Sequence, residues 1–101
     1  MTRLVVTPDA ERDIDDIISF LALEAGPAVA ADYVRRFRFT LERLVDLPET
    51  GAPRPSLGPH ARIGIVSPYI LVYDFVRAED ELILLRILHG RRNVTRDMLR
   101  A

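Results

Sequence analysis

Apolar side chains recur every three or four residues through the first half of the chain, which is the period of an amphipathic helix. Two stretches follow this period, one starting at Pro8 and one covering residues 28–47. Thr7 and Pro8 suit a helix start, and Gly26-Pro27 interrupts the pattern. Because this break is short, we expect an antiparallel helical hairpin. The apolar stripes are Ala10, Ile14, Ile17, Ile18 and Leu21, then Ala30, Val34, Phe37, Leu41 and Leu44.

The other apolar segments are short and rich in β-branched and aromatic residues, as strands are. One precedes the first helix at residues 4–6, and three follow at residues 61–66, 69–77 and 82–89. Residues 48–59 lie between the helices and these three strands, and their prolines and glycines predict a loop. The order β-α-α-β-β-β predicts an α+β fold in which an antiparallel sheet packs on a two-helix hairpin.

The last two strands are apolar on both faces, whereas a half-buried strand alternates apolar and polar residues. The helical hairpin covers only one face, so the C-terminal tail or another chain must cover the second. The tail is short and polar, which favours another chain. Arg86 shares the alternation of Leu84 and Leu88, and a buried charge needs a partner. That partner is either Asp74 on the neighbouring strand or a group on another protein.

The composition fits one domain of 101 residues and excludes several kinds of site. The chain has no cysteine, and His60 and His89 lie far apart, so we expect no metal and no cofactor. No apolar stretch approaches the roughly 20 residues of a membrane span. The first six residues are too few and too charged for a signal peptide. We therefore expect a cytoplasmic protein that does not contact membranes.

The charges are unevenly distributed although the net charge is only −1. Acidic residues crowd the first helix, whereas the segment from His89 onward carries four arginines against Asp97. All the basic residues are arginine, which favours multi-donor contacts with carboxylate or phosphate groups. A GC-rich genome produces the same bias, so the preference for arginine does not by itself indicate a site.

The segment RILHGRRN at residues 86–93 resembles the closing motif of ParE-type toxins, in which Arg and two apolar residues precede His-Gly-Arg-Arg-Asp/Asn. The strand that contains Arg62, and the pair Tyr69 and Tyr73, resemble the strands that precede this motif. The opening helix resembles the family pattern Ala-Glu-x-Asp-(Ile/Leu)-x-x-Ile, which begins here at Ala10. The resemblance covers essentially the whole chain and identifies it with the ParE/RelE toxin superfamily, closer to ParE.

This resemblance implies a toxin of a type II toxin–antitoxin system. The implied partner is a ParD-like antitoxin, whose N-terminal part binds operator DNA and whose flexible C-terminal segment wraps the toxin. The toxin would therefore reach operator DNA only through the antitoxin. ParE-type relatives inhibit DNA gyrase, whereas RelE-type relatives cleave messenger RNA in the ribosome. A third alternative is a diverged, non-toxic binding module.

The residues favour gyrase inhibition over RNA cleavage. RelE-type toxins resemble one another in their strand lysines and arginines and in a tyrosine after the closing motif, whereas this chain has no lysine and continues as Asn93-Val94-Thr95. Ribosome binding also favours a basic protein, and this one has a net charge of −1. If the chain is nevertheless a ribonuclease, the candidate acid–base and phosphate-binding residues are His89, Arg62, Arg86 and Arg91.

The candidate residues for binding the target or the antitoxin are Arg62, Tyr69, Tyr73, Arg86, His89, Arg91 and Arg92. Structural alternatives exist for most of them. Tyr69 and Tyr73 lie on one strand face with Phe75 and fit a packing role. His89 fits a ring that bonds a backbone carbonyl at the end of its strand. Gly90 fits a backbone conformation that other residues resist.

Overall fold

Two long helices form the hairpin that the apolar periodicity predicts. The computed structural model describes residues 1–91 and 94–99. Helix α1 spans Pro8–Ala25 and helix α2 spans Pro27–Asp46. Thr7 caps α1, since its hydroxyl accepts a hydrogen bond from the Ala10 N–H at 3.1 Å. Gly26 separates the helices at φ +95°, a conformation that favours glycine.

A sheet of five strands, counted over the described residues, packs against this hairpin. Short 3-10 segments lie at Pro55–Leu57, Arg77–Glu79 and Arg96–Leu99. Neither α1 nor α2, the long helices of the described residues, combines the length and the apolar character that crossing a membrane requires. The strands are β1 Arg3–Val6, β2 Ala52–Pro53, β3 Ala61–Val66, β4 Tyr69–Val76 and β5 Glu81–His89. Their order across the sheet is β1-β5-β4-β3-β2.

The predicted α+β class and element order are confirmed, with two additions to the sheet. Strands β3, β4 and β5 form the expected antiparallel meander, but β1 pairs with β5 in parallel, so the sheet is mixed. The predicted loop also contributes β2, which pairs with Ile63 and Arg62 of β3. Pro53 is compatible with this strand because β2 lies at the edge of the sheet, where a missing backbone N–H breaks no ladder.

The sheet has a packed core on each face. The core under the helices includes Leu71, Tyr73 and Leu84. A smaller cluster on the second face contains Val72 and Leu57, and Val94 and Leu99 of the tail pack against it. The chain therefore covers this part of the second face with its own loop and tail. The tail alternative thus holds for Val72, which has no exposed surface, and coverage of the rest of this face by another chain stays a prediction.

A β-bulge in β5 places Arg86 on the second face. Val72 pairs with Arg86, but the next residue of β4, Tyr73, pairs with Leu84, so Leu85 is the extra residue. Leu84 therefore faces the helices, whereas Arg86 lies with Val72 on the other side. The expectation that the side chains of Leu84 and Arg86 lie on the same face of the sheet is wrong, since a bulge shifts the side-chain pattern by one residue.

Tyr73 links the sheet to the segment that follows α2. Its ring is fully buried, its hydroxyl donates to the Pro48 carbonyl at 2.7 Å, and the Gly51 N–H donates to its oxygen at 3.1 Å. Burial raises the pKa of the Tyr73 phenol. The neutral hydroxyl thus satisfies two backbone groups that would otherwise lack partners.

We expect Tyr73→Phe to lower the free energy of unfolding by about 1–3 kcal/mol, because the substitution leaves buried backbone groups without partners. Urea denaturation followed by circular dichroism measures this. Tyr33→Phe is the matched control, since the Tyr33 hydroxyl makes one exposed bond of 3.3 Å to the Ser67 carbonyl. The control should change stability by less than about 0.5 kcal/mol. Equal losses in the two variants would contradict the role assigned to Tyr73.

Candidate functional site

Asp13 of α1 occupies the edge of β5 beyond the end of β1. Strand β1 pairs with β5 as far as Leu84, and no strand in the described part of the chain continues along that side of β5. There the Asp13 carboxylate accepts the Ile87 N–H at 2.9 Å. It also accepts Arg86 Nε at 2.7 Å and Arg86 Nη2 at 3.0 Å. Arg86 Nη1 donates to the Met98 carbonyl at 2.8 Å, so one guanidinium connects sheet, helix and tail.

The predicted ion pair between Arg86 and Asp74 is wrong. Asp74 pairs with Ile83 in the ladder, whereas the bulge places Arg86 opposite Val72. The hydrogen bond to Asp13 raises the pKa of Arg86, which therefore stays charged. Burial raises the pKa of the Asp74 carboxyl, and the nearby charge of His60 lowers it in part. Sequence spacing did not indicate Asp13, because it lies on another element more than 70 residues away.

Arg62 holds the segment after α2 rather than facing open solvent. Its Nη1 donates to the carbonyls of Glu49 and Gly51, both at 2.8 Å. Tyr73 is its partner in the ladder between β3 and β4. Arg62 and Tyr73 thus fasten the same segment, which gives Arg62 a structural role in the isolated chain.

Tyr69 and Tyr73 belong to the core under the helices. Tyr69 packs edge-to-face on Tyr33 at 5.7 Å and lies 5.7 Å from the Phe37 ring. Tyr73 has no exposed surface and Tyr69 very little. Both tyrosines therefore have the packing role that was the alternative to a binding role. Neither presents a surface to another protein in this conformation.

His89, Gly90 and Arg91 form the turn that ends β5. The His89 ring accepts the Arg91 N–H through Nδ1 at 3.1 Å, so the predicted bond to a backbone carbonyl is wrong. Gly90 donates its N–H to the Pro68 carbonyl at 2.7 Å, and an added Cβ would lie 2.9 Å from that oxygen. The close approach, rather than an unusual φ, requires glycine here. Arg91 is exposed, and Arg92 lies outside the described residues.

The structure does not assemble the residues expected of a ribonuclease. Arg62 pairs with Tyr73 under the helices, whereas Arg86 lies on the opposite face of the sheet. His89 pairs with Tyr69, four residues along β4 from Tyr73, which corresponds to about 13 Å of strand. Arg62 is therefore separated from both Arg86 and His89, and the guanidinium groups of Arg62 and Arg86 are already hydrogen bonded within the chain.

An apolar groove between α2 and β1, with Ile14 of α1 at its side, is a feature that the sequence did not predict. It has a volume of about 780 Å³, and Val34 is part of its wall although Val34 belongs to the apolar stripe of α2. The groove reaches the buried Phe37. Periodicity indicates which side chains face inward but not how completely the neighbouring elements cover them. The groove is lined by Met1, Leu4, Ile14, Val34, Phe37 and Leu41, with Arg38, Glu42, Val45 and Asp46.

Solved toxin structures share this architecture. A chain of the chromosomal ParDE toxin–antitoxin system from P. aeruginosa matches with a TM-score of 0.73 and 27% identity, over 88% of this chain and 96% of that chain. The toxin–antitoxin complex RelBE2 from Mycobacterium tuberculosis gives 0.61 and 22%, over 87% and 96%. The isolated E. coli RelE toxin gives 0.60 and 15%, over 92% and 88%. The fold is that of RelE/ParE-like toxins.

Sequence comparison identifies the branch. The family model described as "ParE toxin of type II toxin-antitoxin system, parDE" matches residues 4–94. Toxin ParE1 of Caulobacter vibrioides is 31% identical over 85 residues, which are 83% of this chain and 84% of the relative. The chain belongs to the ParE toxin family of type II toxin–antitoxin systems. The expected superfamily, and its ParE branch, are confirmed.

A double-mutant cycle of Asp13→Ala and Arg86→Ala should give a coupling energy of about 1–3 kcal/mol in urea denaturation, because both groups are partly buried and doubly hydrogen bonded. The control is the Arg36–Asp32 pair on α2, which has an N–O distance of 2.8 Å but is more exposed. Such a helix pair should couple by about 0.3–0.5 kcal/mol. Similar couplings in the two cycles would show that the Asp13–Arg86 contact is no more than a surface ion pair.

Proposed function

We propose that this toxin stops growth by binding and inhibiting DNA gyrase, without a chemical step of its own, and that a ParD-like antitoxin neutralises it. The observation that carries the proposal is membership of the ParE family across residues 4–94. Action on gyrase places the toxin in the cytoplasm. Operator DNA would be bound by the antitoxin and reached by the toxin only through that complex.

The geometry supports inhibition by binding. General acid–base cleavage of RNA needs a base, an acid and cationic groups around one phosphate. Here Arg62 and Arg86 are hydrogen bonded within the chain on opposite faces of the sheet, and His89 lies at the far end of β4 from Arg62. The likeness to E. coli RelE, at 15% identity, concerns the fold alone. No observation therefore favours the ribonuclease alternative.

The groove between α2 and β1 supports the antitoxin proposal. Its floor and walls are mainly aliphatic, and its rim carries Arg38, Glu42 and Asp46 along one side of α2. An amphipathic helix could place apolar side chains in such a groove and charged ones along its rim. We therefore place an antitoxin helix here, and not on the second face of the sheet, where Val94 and Leu99 already pack.

The first experiment is gyrase supercoiling of relaxed plasmid with purified toxin, with and without antitoxin. We expect the toxin to inhibit supercoiling or to trap cleaved DNA, and the antitoxin to restore activity. Unimpeded supercoiling by a preparation that still arrests growth would exclude gyrase as the target. A folded protein that neither inhibits gyrase nor arrests growth would indicate the non-toxic alternative.

Val34→Glu should weaken neutralisation without weakening gyrase inhibition. Val34 lines the groove and is 36% exposed, so a carboxylate there would have to be buried beneath the antitoxin helix. We expect about 10–100-fold more antitoxin to be needed, which corresponds to about 1.4–2.8 kcal/mol.

Leu23→Glu is the matched control, since Leu23 is 86% exposed on α1 and does not line the groove. This variant should be neutralised like the wild type. Circular dichroism would establish that both variants fold. If the antitoxin neutralised Val34→Glu as readily as Leu23→Glu, the groove would not be its binding site.

A further inference from the structure

Strand β3 has an open edge beyond the short strand β2. Strand β2 pairs with Ile63 and Arg62, and among the described residues no strand lies beside residues 64–66 on that side. The Arg54 N–H donates to the Ala61 carbonyl on this edge. Because backbone groups alternate along a strand, those of Ile65 point in the same direction as those of Ala61. The Ile65 N–H and carbonyl therefore face the open edge.

A groove of about 420 Å³ lies beside this edge, between β3 and α2. Phe39 and Ile65 line it, and their exposed fractions of 60% and 65% are high for such large apolar side chains. Leu44 closes the groove from below. This surface, the β3-edge groove, therefore offers unpaired backbone groups next to exposed apolar side chains. An added strand uses both kinds of group.

The charge beside the groove is positive. The Arg43 guanidinium lies 5.8 Å from the centre of the Phe39 ring and lines the groove. Arg35 and Arg36, elsewhere on α2, are paired with Asp32. Arg43, by contrast, has no carboxylate within ion-pair distance among the described residues. A segment that enters the groove would therefore bind more favourably if it placed a carboxylate near Arg43.

We propose that the β3-edge groove binds an extended acidic peptide segment as an additional strand. The segment exchanges backbone hydrogen bonds with Ile65, packs an apolar side chain on Phe39 and places a carboxylate at Arg43. This inference goes beyond the proposed function, because it concerns a surface on the opposite side of α2 from the groove assigned to the antitoxin and depends on neither gyrase nor the antitoxin.

A second copy of the chain fits this edge less well. Two β3 strands paired about Ile65 would share only residues 64–66, since β2 of each copy occupies the edge beyond them. The second copy would also bring its own Arg43 towards the first, and like charges across an interface oppose association. A separate acidic segment brings neither a second β2 that limits the pairing nor a second arginine that repels the first.

The test uses the whole toxin and a fluorescent peptide of alternating glutamate and valine, with a lysine–valine peptide as its charge-reversed counterpart. Fluorescence anisotropy should show binding of the acidic peptide only. Arg43→Glu should reduce its affinity at least tenfold and create binding of the lysine peptide. The control is Arg35→Glu, since Arg35 is an exposed arginine of α2 that lines neither of the two grooves. It should leave the affinity unchanged.

Hydrogen exchange of the Ile65 amide, measured by NMR, tests the strand itself. Exchange should slow when the acidic peptide binds, and an N-methylated peptide should neither slow it nor bind. Equal loss of binding in Arg43→Glu and Arg35→Glu would overturn the proposal, because it would reveal non-specific attraction. Unchanged exchange at Ile65, or a dimer of the toxin that slows this exchange without peptide, would overturn it as well. Gyrase inhibition is measured separately, so either proposal can fail alone.

Discussion

The carboxylate of Asp13 joins helix α1 to the part of β5 that no longer pairs with β1. Strand β5 lies in the sheet as far as Leu84 and then loses its neighbour β1, so its edge would present an unpaired N–H. Asp13 accepts that N–H from Ile87 and binds the guanidinium of Arg86 with both oxygens. A single side chain thus joins α1 to β5 and holds the arginine that reaches the tail.

The elements themselves follow from short-range patterns, which explains how much of the fold could be predicted. Proline and glycine mark the break at Gly26-Pro27, and helix and strand periods are properties of neighbouring residues. The bulge at Leu85 could not be found in this way, because residues on both faces of β5 are apolar and a shift by one leaves the pattern unchanged. The ion-pair partner of Arg86 depends on that shift, and the prediction that it is Asp74 was therefore wrong.

The candidate site, like the fold, could be predicted from the sequence only in part. The motif around His89 indicates the family correctly, yet Tyr69 and Tyr73 are packed in the core, and Arg62 is bonded to backbone carbonyls. The two grooves lie where apolar residues of α2 and the sheet are incompletely covered. A sequence pattern records that Val34 and Phe39 are apolar. Only the distances between elements show that they remain partly exposed.

Arg86 holds the tail through the main-chain carbonyl of Met98 and not through its side chain. Every amino acid supplies that carbonyl, so substitutions at position 98 would leave the bond intact. An insertion or deletion between the end of β5 and Met98 would instead place a different carbonyl in front of the guanidinium. Related toxins that retain this anchor should therefore vary more freely in the residue types of this segment than in its length.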